Sequence, residues 1–151
     1  MNQGRILAVC ISERKGERKK AISSGLLIEN FGLQGDAHAG DWHRQISLLG
    51  DESIDKMRAL GLDVGCGDFA ENLTIIGINL PVLPIGTQLR VGATALLEVT
   101  QIGKECHQHC AIYEQAGDCV MPREGIFARV LRGGPVGKDD AVIVLPAVAA
   151  A

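Results

Sequence analysis

The chain has 151 residues and a formal net charge of −3, so it lacks the basic footprint of a general nucleic-acid binder. Its hydrophobic fraction of 46% is that of an ordinary globular domain, and no apolar run is long enough to cross a bilayer. One domain is expected, able to bury roughly two-thirds of its unfolded surface without staples; the five cysteines are odd in number, follow no disulfide framework and have no secretory pattern before them, which predicts a reduced, cytoplasmic protein.

In chain order, the first strand is expected at Arg5–Ile11. The basic run ERKGERKK, Glu13–Lys20, reads as a solvated hairpin loop, with an anion-binding lip as the alternative. Strands follow at Ser24–Glu29 and Gln45–Leu48. Asp51–Leu60 then carries Ile54, Met57 and Leu60 on one helical face, with Asp51 placed to cap the start and Gly61 to stop the run. Further strands are expected at Gln88–Val91, Ala95–Gln101, Gly125–Leu131 and Ala141–Leu145, where β-branched content and length suit extended chain. A second, short helix is expected over Cys106–Gln115. Nineteen glycines serve many turns, no repeat or linker interrupts the pattern, and the tail Pro146–Ala151 reads as frayed. The expected fold is mainly β with a few short helices, a single barrel-like domain over residues 1–151 with its core at about 9–145.

Chemistry concentrates in GKECHQHCAIY, residues 103–113, where two thiols and two imidazoles fall within five positions. Structural zinc usually takes pairs of donors from separated knuckles, and donors crowded onto one short segment point in different directions, which argues against it. On a helix, Cys106 shares a face with His109 and Cys110 while His107 turns away. Lys104, the histidines and a place in the first helical turn would all favour a thiolate at Cys106. Such a thiolate attacks sulfur, carries a persulfide or ligates a soft metal. The plain alternative is that Cys110 is a small buried hydrophobe and the histidines are surface residues.

A second stretch, GLQGDAHAGDWHRQISLL at Gly32–Leu49, holds His38 in a loop beside Asp36, with His43 and Arg44 just beyond. A carboxylate there can orient the imidazole and fix its tautomer; equally, Asp36 can cap an Asx-type turn. Glu71-Asn72 joins two apolar segments. In GIFARVLRGG, Arg129 and Arg132 would face opposite ways on a regular strand, so only one of them can line a given pocket.

Taken in order, GLQGDAHAG with RQISLL, ENLTIIGINL, LPIGTQLRVG with LLEVTQIGKECHQHC, and MPREGIFARVLRGGPVGKDDAVIVL resemble the molybdenum-cofactor sulfurase C-terminal (MOSC) domain in its stand-alone bacterial form, over about Val9 to Leu145. The resemblance implies a barrel similar to the pyruvate-kinase barrel domain and a role in handling sulfur and the molybdenum cofactor (molybdopterin), bound at least transiently. It matches the family cysteine to Cys106, or to Cys110 in the branch that holds molybdenum on a thiolate. It also matches Asp36, His38, Asn72 and Arg129 to positions around the pocket, and Lys104 and His109 join these as cofactor-binding expectations. Three functions follow: a sulfur carrier or sulfurtransferase using Cys106, a delivery module with Cys110 as molybdenum ligand, and a small reductase of N-hydroxylated compounds. The pyridoxal-phosphate desulfurase domain of the larger members finds no room in 151 residues, so pyridoxal phosphate is expected only on a partner. A cysteine desulfurase or other sulfur donor, together with cofactor-biosynthesis proteins or molybdoenzymes, are the expected partners, with no nucleic acid and no membrane.

Overall fold

The structure is a computed structural model describing residues 2–15, 17–103 and 124–146. The expected helix Cys106–Gln115, with Lys104, Cys106, His109 and Cys110, and tail residues 147–151 lie outside the described residues. The elements run β1 (Gln3–Ile11), β2 (Lys20–Ile22), β3 (Ser24–Ile28), β4 (Gly32–Leu33), β5 (Ile46–Gly50), α1 (Asp51–Arg58), β6 (Leu73–Ile76), a 3-10 turn (Leu80–Val82), β7 (Gln88–Val91), β8 (Ala95–Ile102), β9 (Ile126–Arg132), β10 (Gly134–Gly137) and β11 (Ala141–Val144).

Seven strands close a barrel in the order β11-β7-β8-β9-β5-β6-β1, sealed by antiparallel pairing of β1 with β11, Gln3 opposite Ile143. Closure removes the open edges that an extended apolar sheet would otherwise expose. The strands β5 and β6 pair in parallel, which no tight hairpin can join; α1 and the loop after it supply the crossover. A second sheet, β10-β3-β4, packs alongside.

The barrel interior is filled by alternate residues such as Ile46, Leu48, Leu73, Ile75, Leu97 and Val99, all buried. Outside the wall, Leu49 and Phe127 meet Ile54 and Met57 of α1 together with Val64 and Phe69. Thus β5 is buried on both faces, which is why its sequence, ISLLG, carries one polar side chain, Ser47, whose amide and hydroxyl are both bonded to Asn72 Oδ1. Truncating Leu48 to alanine would cost about 2–5 kcal/mol through lost burial and the cavity left behind. No helix among the described residues is long and apolar enough to span a membrane.

Three local expectations are corrected. Gly50, not Asp51, is the N-cap of α1 and makes no side-chain cap; Asp51 lies in the first turn, where its charge suits the helix dipole and accepts Arg58 Nη2 at 3.1 Å. The helix ends at Arg58, so Leu60 escapes its buried face and is 62% exposed. The strands β2, β4, β6 and β10 went unpredicted, because the first two are very short and GPVG has poor strand propensity; neighbouring strands impose their geometry.

Candidate functional site

The run Glu13–Lys20 does form the predicted hairpin, since Ile11 pairs with Lys20. Its solvated reading fails at one residue. The side chain of Lys19 is fully buried, and its ammonium lies 2.7 Å from Asp36 Oδ1, 2.9 Å from Ser12 Oγ and 3.0 Å from His38 Nδ1. Sequence reasoning missed it because a lysine in a charge run gives no sign of a partner 17 residues further on. The backbone of Lys19 is held from behind: its N–H donates to the Gly67 carbonyl at 2.8 Å. Gly67, at φ +84°, must be glycine, since a Cβ there would come within 2.2 Å of the Lys19 carbonyl oxygen.

Asp36 is the hub of the β4–β5 loop. Oδ1 accepts from the Ser12 amide (3.1 Å) as well as from Lys19, and Oδ2 accepts from the His38 amide (3.0 Å). That last bond is the Asx-type turn, so the capping role is real. Burial pushes the Asp36 carboxyl up, but the hydrogen bond and charge of Lys19, the Ser12 amide and the Asn72 side chain outweigh it and hold it below the usual range. Asp36 does not orient the His38 ring directly: Oδ2 stands 3.8 Å from Nδ1, and the Lys19 ammonium takes the hydrogen-bonding position.

Asn72 lies at the start of β6. Its Oδ1 accepts from the Ser47 amide (3.0 Å) and hydroxyl (3.2 Å), while its Nδ2 donates to the Cys10 carbonyl (3.1 Å). It therefore stitches β1, β5 and β6 at the end of the barrel where Asp36 is held. Glu71 beside it is buried, accepting from the amides of Gly67 and Phe69 and from the Thr74 hydroxyl; burial pushes its carboxyl up despite these donors. Cys10 is buried and its thiol pushed up to about 12, by burial first and then by the charge of Glu71. Burial also raises the Cys66 thiol. Neither offers a thiolate at neutral pH.

Arg129 projects from the outer wall of β9, half exposed, with Nε and Nη2 both 2.9 Å from Glu98 Oε1 on β8. Its fork is thus committed to a cross-strand ion pair, and no hydrogen bond among the described residues joins it to the Asp36–Lys19–His38 node. Arg44 is the arginine that the loop itself brings. Its Nε donates to Gln101 Oε1 at 3.1 Å, and its guanidinium lies 5.3 Å from the Phe127 ring centroid and 5.9 Å from that of Trp42. Lys15 approaches the same indole at 4.7 Å, and the indole N–H donates to the His38 carbonyl at 2.8 Å.

These contacts tie the loop to the base of the thiol segment. Gln101 also lies 2.9 Å from His43 Nε2 and donates to the Gly103 carbonyl at 2.7 Å, and the Thr100 hydroxyl donates to the His43 carbonyl. The Gly103 N–H in turn donates to the Gly125 carbonyl at 2.6 Å, drawing together the chain on either side of residues 104–123. Among the described residues no cluster of three or more His, Cys, Asp or Glu could hold a metal ion. A cavity of about 450 Å³ between α1 and the end of β6 contains none of the predicted site residues, and its Ser53 and Lys56 are already bonded to Glu124.

The MOSC domain family model matches residues 34–143. Similar solved structures are the YUAD protein from Bacillus subtilis (TM-score 0.79, 18% identity, covering 94% of this chain and 95% of that one), YiiM from Geobacillus stearothermophilus (0.72, 18%, 95% and 75%) and YiiM from Escherichia coli (0.66, 17%, 98% and 71%). At such identities these likenesses speak for the fold alone. No curated protein matches the sequence.

Proposed function

The chain belongs to the MOSC family, a family associated with the molybdenum cofactor, and from that premise we propose that it carries sulfur for this cofactor on the thiol of Cys106. The observation that carries the reading is the docking of the Asp36–Arg44 loop, through Gln101, onto the strand end that leads into residue 104. A polar loop is thereby anchored to the strand end from which the chain runs on toward the thiols in sequence, as expected where a barrel rim presents functional groups.

The donor chemistry of the loop fits the cofactor. Lys15, Arg44 and His43 supply cationic or hydrogen-bonding groups for an anionic phosphate, and the half-buried Trp42 indole supplies a flat face for a planar heterocycle. His38 adds a polar contact, Asp36 and Asn72 hold its loop in place, and Lys104, His109 and Arg129 remain as further contacts proposed from the sequence. When bound, the cofactor supplies the sulfur acceptor. The Cys106 thiolate takes sulfur by attacking the outer sulfur of a donor persulfide: the new S–S bond forms at Cys106, the donor's S–S bond breaks, and the donor leaves as thiolate, with no net oxidant. A pyridoxal-phosphate cysteine desulfurase fits as the donor, and cofactor-biosynthesis proteins or molybdoenzymes as recipients.

Intact mass and elemental analysis of protein purified without air test this. After incubation with a persulfide donor, a gain of one sulfur that disappears in Cys106→Ser and persists in Cys110→Ser is expected. Stoichiometric molybdenum, lost in Cys110→Ser and accompanied by no sulfur gain, would replace the carrier with a delivery module.

A further inference from the structure

We infer that Lys19 is a positioning residue that fixes the neutral His38 ring as its Nε2–H tautomer, making His38 a hydrogen-bond donor and not a base. This deepens the proposed reading of the same site, but it needs no cofactor or thiol for its test.

An ammonium has three N–H donors and no acceptor. All three donors of Lys19 have acceptors in reach: Asp36 Oδ1 at 2.7 Å, Ser12 Oγ at 2.9 Å and His38 Nδ1 at 3.0 Å. The assignment is consistent from both sides. Ser12 Oγ spends its own proton on the Arg14 carbonyl at 2.9 Å, so it accepts from Lys19. Asp36, held below the usual carboxylate range, is ionised and pairs at 2.7 Å with the fully buried ammonium of Lys19. The Nδ1 position must therefore accept, and the proton of the neutral ring resides on Nε2. The rest of the residue is held too, by its amide on Asp36 Oδ2 and its carbonyl under the Trp42 indole N–H.

Two consequences follow for the site. With Nδ1 occupied and Nε2 protonated, the ring has no lone pair with which to take a proton from a thiol. Its other nitrogen is a donor, of the kind that pairs with an anionic oxygen or sulfur, close to the ammonium of Lys19. Activation of a cysteine at this site then rests on other groups, with His38 assisting only by stabilising negative charge.

The experiment is long-range ¹⁵N–¹H correlation NMR of the uniformly labelled protein at neutral pH, with the His38→Gln variant identifying the His38 signals among the four histidines. A pyridine-type nitrogen at Nδ1 and a pyrrole-type nitrogen at Nε2 are expected. Lys19→Met should abolish this preference; if that variant does not fold, Lys19→Met/Asp36→Asn, which leaves neither buried charge, serves in its place. A wild-type ring that is imidazolium or protonated at Nδ1 would overturn the inference, as would an unchanged tautomer in a folded variant lacking Lys19. Failure of sulfur loading at Cys106 alongside an intact Nε2–H signature would sink the carrier reading and leave this one standing.

Discussion

Removing both members of the Lys19–Asp36 pair should destabilise the fold by less than the two single removals added together. Each side chain is fully excluded from water, so Asp36→Asn leaves an ammonium in the protein interior with neutral acceptors only, Ser12 Oγ, His38 Nδ1 and the new amide oxygen. Lys19→Met leaves a carboxylate held only by the Ser12 and His38 amides, with help from Asn72. An uncompensated buried charge of this kind costs about 3–5 kcal/mol. For a protein of this size each kcal/mol lowers Tm by about 2–4 °C, so each single variant should melt roughly 6–20 °C below the wild type. The double variant Lys19→Met/Asp36→Asn removes the charges together, and its loss should fall short of the sum of the single losses by at least about 1 kcal/mol, within the range seen for directly contacting residues. Urea denaturation at pH 7 of all four proteins reads the cycle, with unchanged m-values as the check that two-state comparison holds. Single losses below about 1 kcal/mol that simply add would refute the idea that these groups form one buried unit.

Two further predictions concern titration and thiol reactivity. The Asp36 carboxyl is held below its ordinary 3.8, so its contribution is present above that value and lost as pH falls through the folded-state value; the stability gap between wild type and Asp36→Asn should therefore narrow below about pH 3.8 in thermal melts, and a gap that widens with acid would contradict the assignment. Cys106 should alkylate before Cys10 and Cys66 in a brief iodoacetamide pulse at neutral pH, because burial pushes both of the latter thiols up; peptide mapping that finds Cys10 or Cys66 labelled first would count against placing the chemistry at Cys106.

Local pattern was enough to determine the fold class of this protein. The strand at Gln88–Val91 is where alternation and β-branched content place it, and α1 starts at the predicted Asp51. The loop of Asp36 and His38 was legible from its glycine-bounded turns. Asn72 could be read only by resemblance, because a lone asparagine between two apolar segments says nothing of the three strands it joins. Arg129 shows the opposite limit: strand alternation set it apart from Arg132, but not which way it faces, nor that Glu98 across the strand pair would engage its guanidinium.

Tertiary structure decided the rest, because those features are pairings between distant segments. Closure of β1 on β11 joins the two ends of the barrel sequence, and β10 is extended because β3 offers it partners. Lys19 is the clearest case. In its own sequence context a lysine among charges gains most from solvation, and burying its ammonium becomes tolerable only where Asp36, Ser12 and His38 converge to replace water. Those three acceptors meet only after the β1–β2 hairpin and the β4–β5 loop have been brought together by the barrel, so the residue that orients His38 emerges with the fold and not with the local sequence.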